Sequence, residues 1–235
     1  MKPTLRSLAA LGLALALGGC CSCGCKHGKA QPSETVTAAA RTPAPVAPPQ
    51  RPYVAPAADA AAAGLGTPLS RELAWRDVRG GREGTAGDLL GGANALVVVS
   101  TALRCPLTRL YAPYLRERLD PWVERGVRVL VLDTWAGDDE AALAARANEL
   151  GWEWPVAKDA GGEWAAALKA ERTTDVFLID ADGRLRYRGA LDDQFGFGYR
   201  LERPRQRYLD EALEAVLDGR DPPVAATRAP GCALN

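Results

Sequence analysis

The sequence predicts a mixed α/β domain in which a central sheet, partly parallel and partly antiparallel, is flanked by helices. Three observations predict it. The stretch "ALVVVS" (95–100) is a continuous apolar run, as in a strand buried on both faces, and "VRVLVLD" (127–133) reads as a second buried strand. A helical pattern follows each run, so the chain crosses over between them and lays them parallel. The stretch "DVFLIDADGRLRYRG" (175–189) is a hairpin turning at Asp182-Gly183, and a hairpin is antiparallel.

The remaining elements follow in order. Residues 71–78, "RELAWRDV", alternate apolar and polar and read as a strand closed by Gly80-Gly81. Residues 106–125 read as a helix that has to accommodate Pro113 and Pro121, with a kink expected near Pro113. Residues 138–151, "DDEAALAARANELG", place acids at a helix start and glycine at its stop. "WEWPVAKD" gives a short strand, "GEWAAALKA" a short helix, and "RQRYLDEALEAVLDG" (205–219) a closing amphipathic helix. The order is β-α-β-α-β-(α)-β-β-α. Four regions result: a leader (1–19), a Cys-rich start and Ala/Pro-rich tether (20–66), the folded domain (67–220), and a tail (221–235), expected to be mobile, that carries Cys232.

Composition removes several kinds of chemistry. Lys and Arg number 29, as do Asp and Glu, and this zero balance argues against a nucleic-acid partner. His27 is the only histidine and precedes the folded region. Ser-His-Asp, Cys-His and His-ligated metal sites are therefore excluded from the domain. No cofactor and no metal is expected there.

The N-terminus reads as an export signal. Lys2 and Arg6 precede the apolar run Leu8 to Leu17, which is shorter than the roughly 20 residues needed to span a bilayer. It ends in "LGGC", which resembles the lipobox of bacterial lipoproteins. The resemblance implies lipidation of Cys20 and a chain anchored to a membrane at the cell envelope, facing the periplasm or the exterior. An ordinary secretory signal is the other reading. Either way, disulfides can persist in the compartment reached. Cys21, Cys23, Cys25 and His27 offer soft ligands, but at a spacing wrong for structural zinc; disordered thiols or incidental disulfides are the plainer account. Residues 30–66 hold 13 Ala and 7 Pro among 37, a tether able to reach roughly 100 Å at about 3.1 Å per residue.

The element order, with Cys105 at a strand-to-helix junction, resembles the thioredoxin fold over roughly Leu69 to Gly219. "CPLTRLYAP" keeps the register of C-x-x-C-x-x-x-x-P, with Cys105 on the nucleophile, Thr108 on the second cysteine and Pro113 on the kinking proline. Within that superfamily the chain is similar to bacterial redoxin-domain proteins related to the alkyl hydroperoxide reductase and thiol-specific antioxidant branch. These share C-P-L-x-x-x-Y-A-P, R-G-x-[IL]-D-D-Q-[FY]-G and a late Gly-Cys, matched here by residues 105–113, 188–196 and Gly231-Cys232.

Departures from the pattern narrow the chemistry. Thr108 removes the internal dithiol, Thr174 stands where thioredoxins place a cis-proline, and Val99 stands where they carry a buried acid. The peroxiredoxin threonine is replaced by Ala102, with Thr101 adjacent, and Arg172 is the candidate for the arginine of that pattern.

Cys105 at a helix N-terminus faces unpaired N–H groups that favour its thiolate. Pro106 suits the first helical position, Arg104 and Arg109 flank the site, and the Thr108 hydroxyl is expected to point back toward the sulfur. The candidate catalytic residues are therefore Cys105, Thr108, Cys232 and Arg172. Peroxide attack would leave a sulfenic acid on Cys105, which Cys232 or an external thiol would resolve.

The expected function is an exported thiol oxidoreductase acting on a small peroxide or on a thiol/disulfide protein, and re-reduced by an external thiol. The alternatives are a redox-inactive binding module of the same fold and metal delivery by the N-terminal cysteines. Asp192, Asp193 and Gln194 read as a solvated, Gly-rich turn.

Overall fold

The structure is a computed structural model that describes residues 64–234. The leader, Cys20, the Cys21/Cys23/Cys25/His27 cluster and nearly all of the tether lie outside the described residues.

Five strands form the central sheet: β3 (Ala95–Thr101), β4 (Val127–Asp133), β5 (Val156–Lys158), β6 (Val176–Asp180) and β7 (Leu185–Gly189). Their spatial order is β5-β4-β3-β6-β7. β3, β4 and β5 run parallel, while β6 is antiparallel to both β3 and β7. The predicted mixed sheet is present, with its parallel and antiparallel halves meeting at β3.

Strand β3 is central because both its faces are apolar. Ala95, Val97 and Val99 enter one core and Leu96 and Val98 the other. The first core is closed by α2 (Pro106–Tyr111), α3 (Leu115–Val123) and α6 (Tyr208–Leu217), with Ala147 of α4 (Glu140–Glu149). The second is closed by α1 (Ala86–Leu90) and α5 (Glu163–Leu168). Each fully buried Val or Leu contributes about 1.5–3 kcal/mol, so the alternation along β3 and β4 locks their register.

The helix expected at 106–125 is three pieces: α2, a 3-10 turn at Ala112–Tyr114, and α3. Pro113 lies in the turn, where its ring and missing N–H interrupt the α ladder.

The strand expected at 71–78 is shorter and lies elsewhere. Only β1 (Ala74–Arg76) is strand, and it pairs with β2 (Glu83–Thr85) in a separate antiparallel hairpin. Gly80 and Gly81, both at φ +79°, reverse the chain. The buried Asp77 binds Arg79 at 2.9 Å and Arg82 at 2.5 Å, which pins the turn. Helix α1 then opens on a capping box between Thr85 and Asp88.

The tail, expected to be mobile, is fixed. Ala226 bridges in parallel to Arg188 on the free edge of β7. Thr227 is held by its own N–H to the Arg188 carbonyl (3.0 Å) and by the Ala190 N–H donated to its hydroxyl (2.8 Å). This close approach needs Gly189, since a Cβ there would lie 2.2 Å from the Thr227 hydroxyl. Beyond Thr227 the chain continues toward the C-terminal end of β3.

Candidate active site

The site forms where β3 hands over to α2. Cys105 is the N-cap of α2, with extended backbone, and Pro106 occupies the first turn. Its N–H donates to the Ala102 carbonyl at 3.3 Å, closing the turn that follows Thr101. The sulfur thus meets the free N–H groups of the first helical turn.

The Thr108 hydroxyl does not point at the sulfur. It donates within the turn, to the carbonyls of Ala102 and of Cys105 (2.9 Å to the latter), because those acceptors lie under the first turn of α2. What Thr108 offers Cys105 is its backbone N–H. Arg104 and Arg109 are exposed.

The second thiol arrives on the tail. The Cys232 sulfur lies 3.1 Å from the Cys105 sulfur, and both cysteines are free thiols. A disulfide needs about 2.05 Å, so the pair is in van der Waals and hydrogen-bonding contact but not bonded. Residues 231–234 run antiparallel beside the loop before β6, with Ala233 bridging to Arg172. The Thr173 N–H donates to the Cys232 carbonyl (3.0 Å), and the Leu234 N–H donates to the Glu171 carbonyl (2.9 Å). The Cys232 N–H donates to the Thr173 hydroxyl (3.1 Å). Gly231 passes so close that a Cβ would lie 2.6 Å from the Thr174 hydroxyl and 2.7 Å from the Thr174 nitrogen.

Arg172, the candidate for the peroxiredoxin-pattern arginine, makes its hydrogen bond to the tail rather than to Cys105. It donates to the Gly231 carbonyl at 3.3 Å, and its charge acts on Cys232. Its place in the tail seat follows from the antiparallel bridge, which sets its side chain beside the incoming strand. Thr174 is buried, with a hydroxyl that finds no partner, and shares a small cavity with Val99, Thr108 and Tyr111.

Electrostatics separate the two thiols. Burial works against the Cys105 thiolate, but hydrogen bonds from the Thr173 hydroxyl, the Cys232 thiol and the Thr108 and Cys232 N–H groups outweigh it. The result is a pKa lowered from 9.0 to about 7. Cys232 moves the other way, because its proton is held by the Cys105 sulfur and it is partly desolvated. The pair therefore shares one proton, carried by Cys232 and donated to Cys105.

Thr173 is the residue that sequence reasoning missed. It sits between Arg172 and Thr174, both noted in the sequence for other reasons, and nothing in a Thr-Thr dipeptide reports which hydroxyl faces the sulfur.

The loop read as a solvated turn is buried. Asp192, Asp193 and Gln194 are all inaccessible, and Arg118 of α3 approaches Asp192 at 3.7 Å and Gln194 at 3.5 Å. Tyr111 of α2 donates to the Asp192 carbonyl (3.2 Å) and stacks edge-on against Phe195, 4.9 Å between centroids. Phe195 opens a small hairpin, β8 (Phe195–Gly196) with β9 (Tyr199–Arg200). The "CPLTRLYAP" and "RGALDDQFG" segments thus touch through Tyr111, and the second braces the helix that carries Cys105.

Fold and site together define a thioredoxin-like α/β domain with a lowered thiol at a helix start and a second thiol beside it. Residues 76–188 match the AhpC/TSA family, a span that contains Cys105 and stops before the 192–196 loop and Cys232. No curated protein matches the chain. Among solved structures, a hypothetical protein of Sinorhizobium meliloti 1021 superposes with TM-score 0.62 at 26% identity, covering 72% of this chain and 93% of that one. An uncharacterized conserved protein of Geobacillus kaustophilus superposes equally, at 25% identity, covering 73% and 91%. A candidate thiol:disulfide interchange protein DsbE of Chlorobium tepidum shares the fold at TM-score 0.52 and 16% identity, over 65% and 97%.

Proposed function

We propose that this chain is an exported thiol oxidoreductase of the redoxin type, with Cys105 as nucleophile and Cys232 as resolving thiol. The observation that carries the reading is the 3.1 Å contact between the two sulfurs. On a peroxide, the Cys105 thiolate attacks the distal oxygen; an S–O bond forms, the O–O bond breaks, and the departing alkoxide or hydroxide takes a proton. Cys232, as thiolate, then attacks the Cys105 sulfenic sulfur; the S–S bond forms, the S–O bond breaks, and the departing hydroxide takes a proton to leave as water. On a partner disulfide, Cys105 forms the mixed disulfide and Cys232 displaces the reduced partner. Both routes end in the same internal disulfide, which an external thiol returns to two thiols.

Cys105 is only 3% exposed beneath the tail, so substrate entry requires residues 231–234 to lift. Thr108 contributes through its N–H, and Arg172 holds the tail and lowers the cost of ionising Cys232. Lipidation of Cys20 would anchor the domain at the envelope on its Ala/Pro-rich tether. The burial of Cys105 is also what a redox-inactive binding module of this fold would display.

One experiment separates the readings. The reduced chain is treated with hydrogen peroxide and its thiols are mapped by mass spectrometry, with Cys105→Ser and Cys232→Ser as controls. The expected product is a Cys105–Cys232 disulfide, replaced by a trappable Cys105 sulfenic acid in Cys232→Ser. A Cys105 that stays reduced and alkylates as an ordinary thiol would refute the enzyme reading.

A further inference from the structure

A buried charged cluster lies behind Cys105 and takes no part in the chemistry above. Asp133 ends β4 and Lys158 ends β5, both at the C-terminal edge of the parallel strands. Asp138 lies in the loop between β4 and α4, and both carboxylates are buried. The Lys158 ammonium donates to Asp133 Oδ1 (3.3 Å), to the Trp135 carbonyl (2.9 Å) and to the Asp138 carbonyl (2.6 Å).

The cluster reaches the active-site turn at two points. The Leu103 N–H, two residues before Cys105, donates to Asp138 Oδ2 at 2.5 Å. The Thr134 N–H donates to the Thr101 carbonyl at 3.1 Å. The turn that carries Cys105 therefore rests on the 134–138 loop at both ends, and Leu103 is held there by a carboxylate.

Two carboxyls and one ammonium are an unbalanced set in a buried place. Asp133 Oδ2 has no hydrogen-bond partner. Burial, with Asp138 nearby, outweighs Lys158 and pushes Asp133 up to about 7. Among the described residues, Lys158 and Asp138 are the charged groups that act on it most strongly. β3 presents the Ser100 hydroxyl, which is taken by Thr134 at 2.8 Å. The Asp159 carboxylate turns to the N–H groups of Trp164 and Ala165, and Asp77 is occupied by Arg79 and Arg82.

We propose that Asp138 is a positioning residue for Cys105: its carboxylate fixes the Leu103 N–H, and so the turn that aims the Cys105 sulfur at Thr173 and the Thr108 N–H, while Lys158, bonded to the Asp138 carbonyl, keeps Asp138 in place. The inference rests on Cys105 being the reacting thiol.

The test follows the Cys105 thiol in the full chain by alkylation rate and by its Cβ carbon shift as pH is varied. Asp138→Ala is expected to raise the thiol pKa by about one unit and, since the thiol starts near 7, to slow alkylation at neutral pH about fivefold. Asp138→Asn, whose amide oxygen still accepts from Leu103, is expected to recover most of that loss, and it supplies the measurement if the alanine variant does not fold. Variants that lose thermal stability while the Cys105 titration stays as in the unaltered chain would overturn the proposal and leave the functional reading standing. An unreactive Cys105 in the unaltered chain would instead remove the functional reading, and this inference with it.

Discussion

Gly231→Ala is the smallest change that asks whether the tail controls Cys105. A Cβ at this position would lie 2.6 Å from the Thr174 hydroxyl, 2.7 Å from the Thr174 nitrogen and 3.0 Å from the Thr173 nitrogen. Two of these three neighbours are backbone, which no rotamer change can clear, so the strand has to lift. Lifting breaks the pairing of Thr173 with the Cys232 carbonyl, of Leu234 with the Glu171 carbonyl and of Cys232 with the Thr173 hydroxyl. At a net value of about 1 kcal/mol each, roughly 3 kcal/mol of tail docking is lost. Since about 1.4 kcal/mol is tenfold, the open population rises on the order of 100-fold.

The assay is the rate at which a bulky maleimide labels Cys105, assigned by mass spectrometry. It is run at about pH 9.5, so that thiol ionisation no longer limits the rate. Labelling of a 3% exposed sulfur follows the open population when the tail exchanges quickly. Truncation after Pro230 sets the upper limit. A Gly231→Ala chain that labels Cys105 at the rate of the unaltered protein would refute the reasoning, because the seat would then tolerate a side chain that the geometry excludes.

Three further outcomes are expected. Thr173→Val removes the hydroxyl at the Cys105 sulfur and should lift its pKa above about 7, with Thr173→Ser restoring it, as read from the thiolate absorbance against pH. Because the Cys105 pKa is depressed from 9.0 to about 7, the folded state binds fewer protons than the unfolded state between those values. Stability of the reduced protein should therefore fall as pH drops from 9 toward 7, where Asp133, raised to about 7, begins to offset the loss, and turn over above 9, where the raised Cys232 acts in the opposite sense; denaturant midpoints across pH check the sign. Arg118→Met leaves Asp192 buried without its cation and should cost about 3–5 kcal/mol in thermal or chemical unfolding, much of it recovered by adding Asp192→Asn.

What the sequence made legible was whatever depends on local pattern. The runs at β3 and β4 are mostly apolar because both faces are covered, and the Asp182-Gly183 turn of the β6–β7 hairpin follows from its residue types. The break at Pro113 follows from backbone chemistry alone. What stayed hidden depends on partners far along the chain. "DDQ" looks solvated until Arg118 is found beside it, and no local signal links the two. The same holds for Asp138, which reads as an acid at a helix start yet is committed to Leu103. Alternation across 71–78 marks a strand but not its length, since only Ala74–Arg76 finds a partner, and the Glu-Gly-Thr of β2 carries no pattern at all. Thr173 and Thr174 are indistinguishable in sequence, and only backbone direction decides that Thr173 serves the sulfur.

The placing of residue 232 against residue 105 has a thermodynamic side. The two sulfurs are separated by 127 positions, so a bond between them closes most of the domain into one covalent loop. In the chain-entropy account such a loop removes about 5 kcal/mol of unfolded-state freedom. The same free energy, read as a potential, makes the bond about 100 mV harder to reduce in the folded protein than in the unfolded chain. Folding and reduction then become a single coupled equilibrium: a strong reductant acts as a denaturant, and anything that loosens the domain hands its disulfide to the reductant.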